Sequence, residues 1–152
     1  MKKVFIDTNV ILDYILQREH CAEAKAVIRH FVTTQTEMLM SVGGFYTMLY
    51  IIEKYLRKEL HLDTVNRTAT LRTLLTQILQ TFKVAEHDNN SLIQGINTPL
   101  YTDLEDSCQY QLAKKTGCEL LVTFNDKHFP QTEVAIPKVI SPQQFIEDFI
   151  QS

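Results

Sequence analysis

The chain has 152 residues, with 15 Lys plus Arg against 18 Asp plus Glu and a formal net charge of −3. That length predicts one domain over 1–152, with a core large enough to fold without disulfides or a structural metal. A hydrophobic content of 45% excludes a disordered chain, the acidic balance excludes holding nucleic acid by bulk charge alone, and four glycines and four prolines leave little room for a turn-rich all-β fold.

Val4-Phe5-Ile6 is a short apolar run ending in Asp7, the pattern of a buried strand. Asp7, Thr8 and Asn9 are good helix N-caps, and Val10, Ile11, Leu12, Ile15 and Leu16 follow at helical spacing. A second helix is predicted over about 21–32, with Ala24, Val27, Ile28 and Phe31 on one face. Met38-Leu39-Met40 is the second strand, ending at Ser41, and Gly43-Gly44 punctuates before a helix carrying Phe45, Met48, Leu49, Ile52 and Leu56. Asp63 caps a long helix whose core stripe is Leu71, Leu74, Leu75, Ile78 and Leu79. Phe82-Lys83-Val84-Ala85 reads as an edge strand, and Asp88 caps a short helix ending near Gly95. Thr102-Asp103-Leu104-Glu105 has the T-x-x-E form of a capping box for a helix to about Lys115, with Gly117 as its C′ glycine. Leu120-Leu121-Val122 is the fourth strand and Val139-Ile140 the fifth, before a closing helix with Phe145, Ile146, Phe149 and Ile150.

Strands alternating with helices predict right-handed crossovers and a mostly parallel sheet of about five strands, covered on both faces. Ligands bind such sheets outside the carboxyl ends of the strands. The residues there are Asp7-Thr8-Asn9, Ser41, His87-Asp88 and Thr123-Phe124-Asn125-Asp126. Asp103 and Asp106, at i and i+3, share one helix face. If that helix packs beside the first strand, its acids meet Asp7, and like charges so placed invite a cation. Mg²⁺ or Mn²⁺ suits an all-oxygen site, acidifies water and neutralises charge developing on phosphoryl oxygens. Each acid also has a plain structural reading. Asp7 is a natural cap, Asp103 complements the helix dipole, Asp126 with Asn125 makes a turn, and Asp13 is a solvated or locally bonded charge. Asp106 lies deeper in the helix and gains less from the dipole.

Three segments together, Val4 to Asp13, Asp103 to Gln109, and Leu121 to Phe129, resemble a PIN domain of the VapC-like toxin type over nearly the whole chain. The resemblance implies a three-layer α/β/α fold and a divalent-metal-dependent endoribonuclease. It also implies Mg²⁺ or Mn²⁺ as cofactor, RNA as substrate, an antitoxin partner and a homodimer. Asp7 matches the first-strand acid and Asp106 the acid opening the third motif, with Asp103 one turn earlier. Asn125 falls on the last motif's Asp/Asn position. Asp7, Asp103 and Asp106 are thus the expected metal ligands, and Asn125 and Asp126 join them as catalytic candidates. Asn9, Ser41 and Thr123 are supporting residues. Two departures stand out. The family's Glu after the second strand is replaced by Thr47, with Glu53 the nearest acid, and the closing Asp-Phe reads His128-Phe129.

Lys54, Arg57 and Lys58 lie at i, i+3 and i+4 and either track a phosphate backbone or form a solvated helix face. Tyr46, Tyr50 and Tyr55 on the same helix suggest burial on two sides or a homodimer or antitoxin surface. Cys21, Cys108 and Cys118 form no CxxC pair and read as reduced intracellular thiols. The opening apolar run is too short for a secretory signal, and no stretch approaches the ~20 apolar residues of a membrane helix. A cytoplasmic protein with no membrane partner is expected. Beside the nuclease stand two alternatives: a PIN module that binds nucleic acid or protein without cutting, and, more distantly, a phosphotransferase with Asp7 as nucleophile. The second lacks an acid at Asn9.

Overall fold

The computed structural model describes residues 1–130 and 135–152. The apolar runs become five strands: β1 (Lys3–Ile6), β2 (Glu37–Ser41), β3 (Lys83–Ala85), β4 (Leu120–Val122) and β5 (Lys138–Ile140). They form one sheet in the order β3-β2-β1-β4-β5, and every neighbouring pair is parallel. Val4, Phe5 and Ile6 are fully buried, because β1 is central and both sheet faces are covered. The helices are α1 (Thr8–Ile15), α2 (Cys21–Thr33), α3 (Val42–Lys58), α4 (Thr64–Thr81), α5 (Asn89–Ile96), α6 (Leu104–Lys115) and α7 (Pro142–Phe145), which continues as a wider turn over Ile146–Ile150.

Alternation along the strands divides the core in two. Val4, Ile6, Met38, Met40, Leu120 and Val122 pack against α1 to α4 and Phe145. Phe5, Leu39 and Leu121 face the other way, onto Leu112 and Ala113 of α6 and onto Phe129. The result is the three-layer α/β/α arrangement.

Local chemistry departs from the sequence reading at three places. Gly43-Gly44 does not punctuate. Both lie in the first turn of α3, which Ser41 caps by accepting the Gly44 amide at 2.9 Å. The N-cap of α6 is Asp103, not Thr102, and its Oδ1 accepts the amides of Glu105 (2.9 Å) and Asp106 (3.1 Å). A carboxylate there also meets the positive end of the helix dipole, so it displaces the threonine one residue earlier. Leu79 lies off the core face of α4 and is exposed, while Ile78 is buried. Gly117 closes α6 at φ 74°, and the Cys118 amide bonds back to the Ala113 carbonyl at 2.9 Å. Among the described residues no helix is long and apolar enough to cross a membrane.

Candidate active site

The strand order reverses between β1 and β4, since the chain builds outward through β2 and β3 and then returns to the other side of β1. A crevice opens at such a switch point, at the carboxyl ends of the two strands. Asp7 follows β1 and Thr123 follows β4.

Asp7 occupies the N-cap position of α1, yet its side chain makes no capping bond. The carboxylate instead accepts the Thr123 hydroxyl through Oδ2 at 2.9 Å. It is only 4% exposed. Burial raises its pKa above the ordinary carboxylate value, hydrogen bonds from the Thr123 and Gln109 side chains oppose that, and the Asp103 charge adds to it. Asp106 sits on the buried side of α6, and its Oδ2 is buried without a hydrogen-bond partner. Burial, then the charges of Asp103, Asp7 and Glu105, push its pKa up to about 6, against the opposing charge of His128. Asp7, Asp103 and Asp106 therefore act on one another. Asp103 remains exposed and commits Oδ1 to its cap.

Gln109 was not singled out by its sequence, and it belongs to this group. It is buried one turn after Asp106, and its amide stabilises the Asp7 carboxylate. A polar residue at i+3 from an acid, on the face turned to the sheet, was the available signal. Asn125 donates its backbone amide to the Thr123 Oγ at 3.1 Å. Asp126 opens a 3-10 turn (Asp126–His128), whose His128 amide bonds the Asn125 carbonyl at 2.9 Å. Asn9 is exposed on α1. Ser41 is tied into the α3 cap, and α3 presses so closely on Thr8 that a Cβ on Gly44 would lie 2.4 Å from the Thr8 hydroxyl.

The residues on α3 go elsewhere. Thr47 donates to the Gly43 carbonyl at 3.1 Å. Glu53 pairs with Arg57 at 3.2 Å and with Arg67 at 3.1 Å. Lys54 and Lys58 line a groove of about 270 Å³ with Leu16, Arg18, Ile51, Tyr55 and Glu59. At a rise of ~1.5 Å per residue, Lys54 lies roughly 18 Å along α3 from its start near β2. Tyr46 and Tyr50 are exposed on the face opposite Met48 and Ile52. Asp13 is buried but locally bonded, to Arg18 at 3.2 Å and the His20 amide at 3.2 Å.

Among the described residues no three His, Cys, Asp or Glu side chains form a metal cage. A hard divalent ion does not require one, because Mg²⁺ keeps several waters and is commonly held by one or two carboxylates. The unpartnered Oδ2 of Asp106 and the repulsion it shares with Asp7 are the features such an ion would relieve. The donor set fits.

Residues 3–127 match the family model described as PIN domain. This chain belongs to the PIN domain family. A relative, Ribonuclease VapC1 of Aquifex aeolicus (strain VF5), is 30% identical over 151 residues, which is 96% of this chain and 94% of that protein. The PIN fold is also similar to a solved structure described as the crystal structure of DNA bound VapBC from Salmonella typhimurium. That match has a TM-score of 0.61 and 21% identity, and it covers 93% of this chain and 99% of the other. At that identity the likeness speaks for the fold.

Proposed function

We propose that this PIN domain is a divalent-metal-dependent endoribonuclease, the toxin of a toxin–antitoxin pair. The observation that carries the reading is the buried, mutually repelling pair Asp7 and Asp106 at the switch point of the sheet. The 30% identical ribonuclease relative, matched end to end, supports RNA as the substrate class.

Asp7 and Asp106 would hold the ion, with Asp103 adding negative charge at the rim. Mg²⁺ or Mn²⁺, when bound, supplies a Lewis acid and lowers the pKa of water. The chain's own residues do the rest. Thr123 fixes the Asp7 carboxylate and is in turn fixed by the Asn125 amide, while Gln109 favours the ionised form of Asp7. The Asp103 cap orients the first turn of α6, and so aims Asp106. Asn125 and Asp126 lie on the turn after β4, and in this reading they border the path of the RNA strand.

Exposed Tyr46 and Tyr50 on α3, and Ile93 and Ile96 on α5, support coverage by a second copy or an antitoxin. The three cysteines are free, which supports a cytoplasmic setting.

A second reading, a PIN module that binds without cutting, is favoured by the missing third cage acid. One experiment separates them. Purified protein is incubated with single-stranded RNA and Mn²⁺, beside Asp106→Asn and beside EDTA. The nuclease reading expects cleavage in the first case alone. Cleavage that persists in both controls, or RNA binding with no response to Mn²⁺, would overturn it.

A further inference from the structure

His128 stands where the family pattern has an acid, and the structure ties its turn to the site by a continuous chain of bonds. Asp7 Oδ2 accepts the Thr123 hydroxyl, the Thr123 Oγ accepts the Asn125 amide, and the Asn125 carbonyl accepts the His128 amide. The next residue, Phe129, is buried and packs edge-on against Tyr101 at 5.7 Å between ring centres. Tyr101 in turn touches Tyr110 of α6 at 6.1 Å. The turn is therefore clamped from two sides, by β1 through Thr123 and by α6 through the aromatic pair. His128 is held with its backbone fixed and its side chain exposed, where its charge acts on Asp106.

We propose that His128 is a substrate-contacting residue of this site, donating an imidazole N–H to a phosphate oxygen of the RNA beside the scissile bond. The acids around the site leave a phosphate without a donor. Ionised Asp7, Asp103, Asp106 and Asp126 can only accept hydrogen bonds, and so can a phosphodiester. An imidazole always carries at least one N–H, and an N–H on an anionic oxygen is among the stronger hydrogen bonds. The Lys54 and Lys58 side chains lie well along α3. On the turn itself Asn125, Lys127 and His128 carry side-chain donors, and of these His128 is the one whose charge is felt at Asp106. An acid at this position would add a further charge against the phosphate. The inference rests on RNA being the substrate, and the test separates the two.

The affinity of the protein for a fluorescent single-stranded RNA is measured by anisotropy under Ca²⁺, with intact RNA verified by gel. Wild type, His128→Ala and His128→Gln are compared. Mn²⁺ affinity and Mn²⁺-dependent cleavage are measured on the same proteins. We expect His128→Ala to weaken RNA binding and raise KM on the order of tenfold. Mn²⁺ affinity should hold within about twofold, since imidazole is not a ligand here. His128→Gln, which keeps an N–H, should recover part of the loss. His128→Ala that binds RNA as wild type does, or that loses Mn²⁺ affinity, overturns the role of His128 while wild-type cleavage stands. Wild type that binds RNA through His128 but never cuts overturns the nuclease reading and leaves the contact standing. Wild type that neither binds nor cuts RNA overturns both.

Discussion

Thr123 donates its hydroxyl to Oδ2 of Asp7 at 2.9 Å, joining positions 116 residues apart. The bond crosses the switch point, so it holds the end of β4 to the end of β1, and it also favours the ionised form of a carboxylate that burial pushes the other way. Thr123→Val keeps the shape and removes the donor. Leaving a buried polar group short of a partner costs about 1–3 kcal/mol. Mn²⁺ affinity at neutral pH should fall on the order of tenfold and cleavage with it, and Thr123→Ser should restore both. Calorimetric titration with Mn²⁺ checks this, and an unchanged affinity in Thr123→Val would contradict it.

Asp106→Asn should abolish cleavage and yet stabilise the metal-free fold. The substitution removes one charge from a buried cluster and gives Asp7 and Asp103 a neutral neighbour that can donate. The gain is expected to be on the order of 1 kcal/mol, and its sign is the informative part. Urea denaturation in EDTA reads it. Saturating Mn²⁺ should reverse the order, stabilising the wild type and leaving the variant unmoved.

The same cluster sets a pH dependence. Asp106 has its folded pKa raised from 3.8 to about 6, and Asp7 is raised as well. Between those values the folded state binds more protons than the unfolded chain, so stability falls as pH rises. The stabilising contribution is complete below pH 3.8 and gone above about 6. Asp88, lowered to about 2, works the other way and loses its contribution only as pH falls below 3.8. His87, lowered by burial, favours folding as pH rises through its ordinary value of 6.5. Comparing wild type with Asp106→Asn in EDTA cancels both. The stability advantage of the variant should grow from pH 4 to pH 7, and melting curves across that range measure it.

The strands and their order of use were legible because apolar runs bounded by polar ends mark buried parallel strands. That Asp7 and Asp106 would be brought near one another was legible as well, one by its place after β1 and the other by lying deeper in its helix than dipole complementarity explains. What escaped were features decided by tertiary contact. Gln109 looks like any helix polar residue until α6 is laid beside β1. Asp103 outcompetes Thr102 for the cap by charge, which the T-x-x-E pattern hides. Gly44 reads as a breaker, but it is a point of close approach to Thr8, and only the packing of α3 on α1 reveals it.

Glu53 tests whether the acid on α3 takes part in the site. Its carboxylate is held by Arg57 and Arg67 on the surface of α3 and α4. Arg57 is exposed while Glu53 and Arg67 are half-buried, and surface pairs of this kind contribute about 0–1 kcal/mol. Glu53→Gln should therefore leave Mn²⁺ affinity and cleavage within about twofold of wild type, with a small loss of stability. A variant that loses metal response while staying folded by circular dichroism would bring Glu53 into the site.

The two adjacent glycines of α3 should respond in opposite directions to alanine. A Cβ on Gly43 meets nothing within 4 Å, whereas one on Gly44 meets the Thr8 hydroxyl at 2.4 Å and the Ser41 hydroxyl at 3.0 Å. Alanine at Gly43 only restricts the unfolded chain and improves helix propensity, so Gly43→Ala should stabilise by about 0.5–1 kcal/mol. Gly44→Ala must push Thr8, the first residue of α1, out of its place. Forcing a methyl into a packed contact costs about 1–3 kcal/mol. Thr8 follows Asp7 directly, so the displacement reaches the site. Gly44→Ala should lose cleavage out of proportion to its loss of stability, and Gly43→Ala should keep wild-type cleavage. Denaturation and RNA cleavage measured on both variants decide it, and equal effects at the two positions would mean that α3 does not press on α1 as the structure places it.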